Sequence, residues 1–170
     1  MTFTPRTWVV GETVSAAIMN QEIRDQFNSM FAAWTSFTPT WTGATTNPSL
    51  GNGTLVGRYM KIGRTCKVSM ILTIGSTSTF GSGNLRLSLP FTGASVTGGP
   101  GVLNFTYSRA PSPNFVMGAA PLPSGATHTN TVWLANPGTI GDWNAWADAS
   151  PWAGAAGDVL QAYGEYQTAA

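Results

Sequence analysis

The sequence predicts a mainly β protein, an antiparallel β-sandwich or jelly roll preceded by one N-terminal amphipathic α-helix. Three observations carry that prediction. Residues 65–74 alternate between polar and apolar side chains with Ile71 as the one exception, which is the period of a half-buried strand. From Pro39 onward, short apolar runs are separated by clusters of Gly, Asn, Pro, Ser and Thr, the punctuation of an all-β domain. Residues 12–37, by contrast, contain no Gly or Pro and repeat apolar side chains at intervals of three and four, the period of a helix.

The helix is expected over residues 13–34, with Thr13 or Ser15 as N-cap. Its apolar stripe is Met19, Ile23, Phe27, Met30, Phe31 and Trp34, and Glu22, Arg24, Asp25, Asn28 and Ser29 fall largely outside it. The stripe admits two uses. It can pack on the chain's own β-part, or it can associate with copies of itself. Ala16, Met19, Ile23, Gln26, Met30 and Ala33 fit a heptad seam in which Gln26 is a polar residue of the kind that sets register. Met19, Ile23, Gln26, Phe27, Met30 and Trp34 are therefore the candidate oligomerisation or anchoring residues. Residues 1–38 form an N-terminal arm and helix, and residues 39–170 a β-sandwich domain.

Within that domain, residues 57–62 and 65–74 form two strands joined by a tight turn at Gly63-Arg64. Cys66, Val68, Met70, Leu72 and Ile74 point inward on the second. Residues 84–89 form another strand, with Leu85, Leu87 and Leu89 inward, and Pro90 ends it. Residues 102–107, 114–118, 131–135 and 158–166 complete the set. Residues 75–83 are a polar loop, and residues 92–100 and 136–157 are long loops. Loops beyond about 12–15 residues are usually functional or disordered. Seven or eight strands in about 130 residues suit a sandwich or jelly roll.

Composition removes several function classes. Charged residues are 9% of the chain, against about 25% in an average soluble domain. With 42% hydrophobic residues and a net charge of +1, the chain does not have the composition of a disordered protein. Eight cations spread along it make no basic patch, so no nucleic-acid partner is expected. No run reaches the ~18–20 apolar residues of a membrane span, so no membrane insertion is expected. Residues 1–6 lack the basic-then-apolar pattern of a signal peptide. Cys66 is the single cysteine, which excludes an internal disulfide, and its inward position suits a small hydrophobe. With one histidine there is no structural zinc set, and no cofactor is expected. A neutral, Thr-, Ser-, Asn- and Gly-rich surface favours association.

The sequence carries no G-x-S-x-G, P-loop, dinucleotide-binding or H-E-x-x-H motif. His128, in Thr127-His128-Thr129, reads as a surface-loop histidine without a base's partners. The carboxylates of the β-part are Asp142, Asp148, Asp158 and Glu165. Asp142 and Asp158 each follow a glycine and read as turn residues that bond their own backbone. Asp142, Asn144 and Asp148 offer oxygens to calcium but lack EF-hand spacing. No catalytic or metal residue is assigned, and the chain is not expected to be an enzyme. Trp143, Trp146 and Trp152 crowd one loop. Either they pin that loop to the core or to a neighbouring subunit, or they stack on sugar rings.

The opening Thr7-Trp8-Val9-Val10-Gly11-Glu12-Thr13-Val14-Ser15-Ala16-Ala17 leads into Met19-Asn20 and Ile23-Arg24-Asp25-Gln26-Phe27. Pro39-Thr40-Trp41-Thr42-Gly43, Asn47-Pro48-Ser49-Leu50-Gly51-Asn52-Gly53, Gly57-Arg58-Tyr59, Gly63-Arg64, Phe80-Gly81-Ser82-Gly83 and Leu87-Ser88-Leu89-Pro90 follow. Ser150-Pro151-Trp152, Gly157-Asp158 and Gly164-Glu165-Tyr166 close the chain. Over residues 7–90 and 150–170 these stretches resemble structural modules of phage virions, of the minor-tail, tail-fibre and capsid-decoration type, in phages of actinobacteria and other Gram-positive hosts. The resemblance implies a non-enzymatic virion protein, a homotrimer at the tail tip or tail fibre that contacts host-surface glycan. Its partners would be itself, other virion proteins and host cell-surface carbohydrate. The alternative is a capsid decoration or head-spike protein that binds and stabilises the shell.

Overall fold

The computed structural model describes residues 7–111, 114–136, 138–139 and 141–169, and of Gln26 and Ser29 the backbone alone. The first six residues of the expected arm, and the side chain of Gln26 at the expected seam, lie outside the described residues. The helical segment begins at α1 (Ala16–Met19), continues through a π-helical turn (Asn20–Arg24) and ends in α2 (Asp25–Met30). Ser15, one of the two expected caps, accepts the Ile18 N–H on its hydroxyl at 3.3 Å. The segment stops at Met30, short of the expected Trp34. The Phe31 N–H turns back to the Asn28 carbonyl, which tightens the last turn and ends the ladder. Trp34 instead lies beneath the Arg58 guanidinium, 5.4 Å from its ring centre.

The strands are β1 (Thr35–Phe37), β2 (Trp41–Gly43), β3 (Thr54–Ile62), β4 (Thr65–Thr73), β5 (Leu85–Leu87), β6 (Gly101–Ser108), β7 (Phe115–Pro121), β8 (Trp133–Ala135), β9 (Trp143–Ala145) and β10 (Val159–Gln167). Eight of them form one antiparallel sheet in the order β1-β3-β4-β10-β6-β7-β8-β9, and β2 and β5 pair separately. The β3–β4 hairpin turns at Gly63, whose φ of +58° glycine adopts without strain. The C-terminal strand β10 enters the middle of the sheet, pairing over its length with β4 on one side and β6 on the other. β1 already belongs to the sheet, ahead of the Pro39 boundary. β9 lies inside the stretch expected to be loop, residues 136–157.

The inner face of the sheet carries Cys66, Val68, Met70, Leu72, Leu103, Phe105, Tyr107, Val116, Ala120, Leu134, Leu160, Ala162 and Tyr166, all buried. A thinner second layer closes over it. That layer is the β2–β5 pair, with Trp41, Leu85 and Leu87, together with loop residues Ile74, Leu89, Leu122, Val132 and Trp146. The architecture is mainly β and sandwich-like, with one full sheet facing a two-stranded ribbon and packed loops. Gly57 shows how closely the edge fits, since a Cβ there would run into the Phe37 ring.

Candidate functional site

The helix presents the first candidate. None of its described side chains is buried. Met19 and Ile23 are each 42% exposed, Phe27 57% and Met30 46%, so about half of the apolar stripe faces solvent. Of the two uses open to it in the sequence, packing on the chain's own β-part is limited to Trp34 beneath Arg58 and a light contact of α2 with β3. Phe31, at the end of the segment, is still more exposed.

The three loop tryptophans separate. Trp146 is 1% exposed and stacks on Trp41, with ring centres 6.0 Å apart and planes 8° from parallel. Its backbone joins the two layers: its N–H donates to the Val132 carbonyl at 2.8 Å, and its carbonyl accepts from Leu85 at 2.9 Å. A ring so enclosed pins the loop and meets no outside ligand. Trp152 is half-buried and stacks on Tyr107 at 5.3 Å. Trp143, on β9, is 54% exposed on the face of the sheet opposite the core.

Trp152 borders the larger described cleft, of about 750 Å3. Arg109, Asn114, Phe115, Met117 and Asn136 line it with Trp152. The Arg109 guanidinium stands 5.9 Å from the Trp152 ring centre. The lining combines apolar side chains with asparagine and arginine side chains, and the volume is in the range of small-ligand pockets.

Beneath the cleft lies a network that sequence reasoning missed. Asp158 is fully buried. Its carboxylate accepts the Tyr107 hydroxyl at 3.1 Å, the Ala110 N–H at 2.8 Å and the Ala155 N–H at 3.0 Å. The bond to Ala155 is the expected local turn, but the other two tie the start of β10 to the end of β6. Burial, reinforced by the adjacent Asp158 charge, holds the Tyr107 hydroxyl far above the usual tyrosine range. Tyr107 in turn carries Trp152, so Asp158 acts on the cleft through a stack of rings. The Gly157-Asp158 turn was visible in the sequence, and its burial against Tyr107 is a non-local fact.

Cys66 is buried on the inner face as expected, and burial raises its thiol pKa. His128 is half-buried, pairs across to Ser88 in a single bridge and donates from Nδ1 to the Thr129 carbonyl at 2.8 Å. Asp142 and Asp148 are exposed. Among the described residues no group of three His, Cys, Asp or Glu side chains is placed to hold a metal ion. Among them also, no helix is long and apolar enough to cross a membrane. Comparison with protein families, with curated proteins and with solved structures finds no match to this chain.

Proposed function

We propose that this chain is a non-enzymatic structural subunit of a bacteriophage virion. It is a homotrimer whose helix mediates self-association or docking on other virion proteins, and whose β-part is a tail-tip or tail-fibre component contacting host-surface carbohydrate. The observation that carries the reading is the half-exposed apolar stripe of Met19, Ile23, Phe27 and Met30. A helical segment of this length is marginal in water alone, and the protomer leaves about half of its apolar stripe exposed. Low charge and a neutral polar surface support the same reading, because both favour association. The carbohydrate contact rests on the cleft of Trp152, Arg109, Asn114 and Asn136. Weak sites of this kind gain avidity when several are held on one particle.

Imaging of purified particles tests the proposal. It expects the chain in threes or sixes at the tail. Density spread in hundreds of copies over the icosahedral shell would instead make this a decoration protein. Absence from the particle would overturn the virion reading.

A further inference from the structure

The cleft bordered by Trp152 has a charge bias that a carbohydrate contact does not by itself require. Arg109 is the one ionisable side chain among its described lining residues, and Asn114 and Asn136 are the other polar members. Charged residues are only 9% of this chain, so a guanidinium in a cleft is not a by-product of a charged surface. Residues 110–113 and 137–141, the two turns that flank the cleft in sequence, contain no ionisable side chain. Among the described residues no carboxylate oxygen lies within ion-pair distance of Arg109. Asp158 lies below the cleft, but its two oxygens already accept from Tyr107, Ala110 and Ala155. Asp142 accepts the Asn136 N–H on its backbone carbonyl at 2.9 Å, and its exposed side chain is not part of the lining.

The polar groups that the cleft turns to a ligand are therefore mainly donors. A guanidinium carries N–H groups and no acceptor. Asn136 spends its Oδ1 on the Gly138 N–H at 2.9 Å, which leaves its NH2 end for a ligand. The corner that carries Arg109 is also fixed. The Arg109 N–H donates to the Asn114 carbonyl at 2.9 Å, Asp158 holds the adjoining Ala110 N–H at 2.8 Å, and the guanidinium stands 5.9 Å from the Trp152 ring centre. Phe115 and Met117 add apolar surface to the same lining.

We propose that this cleft selects an anionic carbohydrate, a sugar or polyol unit whose carboxylate or phosphate pairs with Arg109 and whose C–H surface lies against Trp152. The inference rests on the carbohydrate reading above and narrows its ligand class. Carboxylate and phosphate share one chemistry here, because a planar guanidinium meets either through two parallel N–H···O bonds. A neutral sugar leaves the cation unpaired. Arg109 is exposed, so the charged contact adds a modest factor of about tenfold per site, which added salt screens.

The test uses the full chain and three probes that share one ring and differ at C6: glucose, glucuronate and glucose 6-phosphate. Acetate and inorganic phosphate serve as bare anions. Binding is read from the NMR signal of the Trp152 indole N–H. The expected result is that a charged sugar binds about tenfold more tightly than glucose, that salt shrinks the margin and that Arg109→Gln abolishes it. The exposed position of Arg109 keeps the near-UV circular dichroism of that variant at the wild-type spectrum. The tighter of the two charged sugars identifies the anion as carboxylate or phosphate. If glucose binds as well as both, or if Arg109→Gln keeps the margin, the inference is wrong and the carbohydrate reading survives. If the bare anions bind as tightly as the sugars that carry them, the cleft is a simple anion site and the proposal is overturned. If no probe moves the Trp152 signal, the carbohydrate reading of the cleft fails and takes this inference with it.

Discussion

Removing the Asp158 carboxylate should unsettle the sheet and the cleft together. In Asp158→Ala, the Tyr107 hydroxyl and the N–H groups of Ala110 and Ala155 lose an acceptor that lies at 3.1, 2.8 and 3.0 Å. The site is fully buried, so water does not replace the acceptor without rearrangement. An orphaned buried donor costs about 1–3 kcal/mol, and three of them, part relaxing toward solvent, cost about 3–5 kcal/mol. That is a large share of the roughly 5–15 kcal/mol that holds a domain folded. At a urea m-value near 2 kcal/mol/M, a loss of 4 kcal/mol lowers the midpoint by about 2 M. The assay is urea unfolding followed by tryptophan fluorescence at fixed chain concentration, because assembly makes the midpoint concentration-dependent. Asp158→Asn keeps one acceptor oxygen and should lose about half as much. A loss below about 1 kcal/mol for the alanine variant would mean that the network does not hold β10 to β6, and the reasoning would fall.

Other outcomes follow from the same geometry. Trp146→Ala, in the core, should cost about 3–5 kcal/mol, whereas exposed Trp143→Ala should change protomer stability by no more than about 0.5 kcal/mol, both read from unfolding curves. Arg109→Ala should leave assembly mass unchanged and reduce adsorption to host cells, measured as phage or protein bound per cell; unchanged adsorption would remove the cleft from the carbohydrate reading. Stability should fall on alkaline titration. Tyr107 and Tyr166 are both raised by burial above the unfolded value near 10, so above that pH the unfolded chain releases protons that the folded chain keeps. Each contributes a slope of about 1.4 kcal/mol per pH unit there, and none below it. Tyr107→Phe should remove one such slope; a variant with the wild-type pH profile would contradict the assignment.

The strands that the sequence made legible are those whose alternation is local. β4 reads directly from Cys66, Val68, Met70 and Leu72 because each inward residue is fully apolar and each neighbour mostly polar. Three-residue strands such as β1, β2 and β9 escape, because a stretch like Trp143–Ala145 is too short to show a period. Strand order escapes as well: β10 pairs with β4 across some ninety residues of chain, and only the folded register reveals it. The Trp146 ring was visible as an aromatic in a loop, yet its stacking on Trp41 depends on a contact between distant segments. The helix end at Met30 was missed because Phe31 and Trp34 continue the apolar spacing while the backbone does not.

The central claim is that the half-exposed apolar stripe of the helix is closed by copies of the same chain. Sedimentation equilibrium of the full chain across the micromolar range tests it most directly. The expected result is a species of three times the 17.9 kDa chain mass, which Ile23→Lys converts to monomer without loss of the β-sheet signal. A single species at the mass of one chain over the whole range would contradict it.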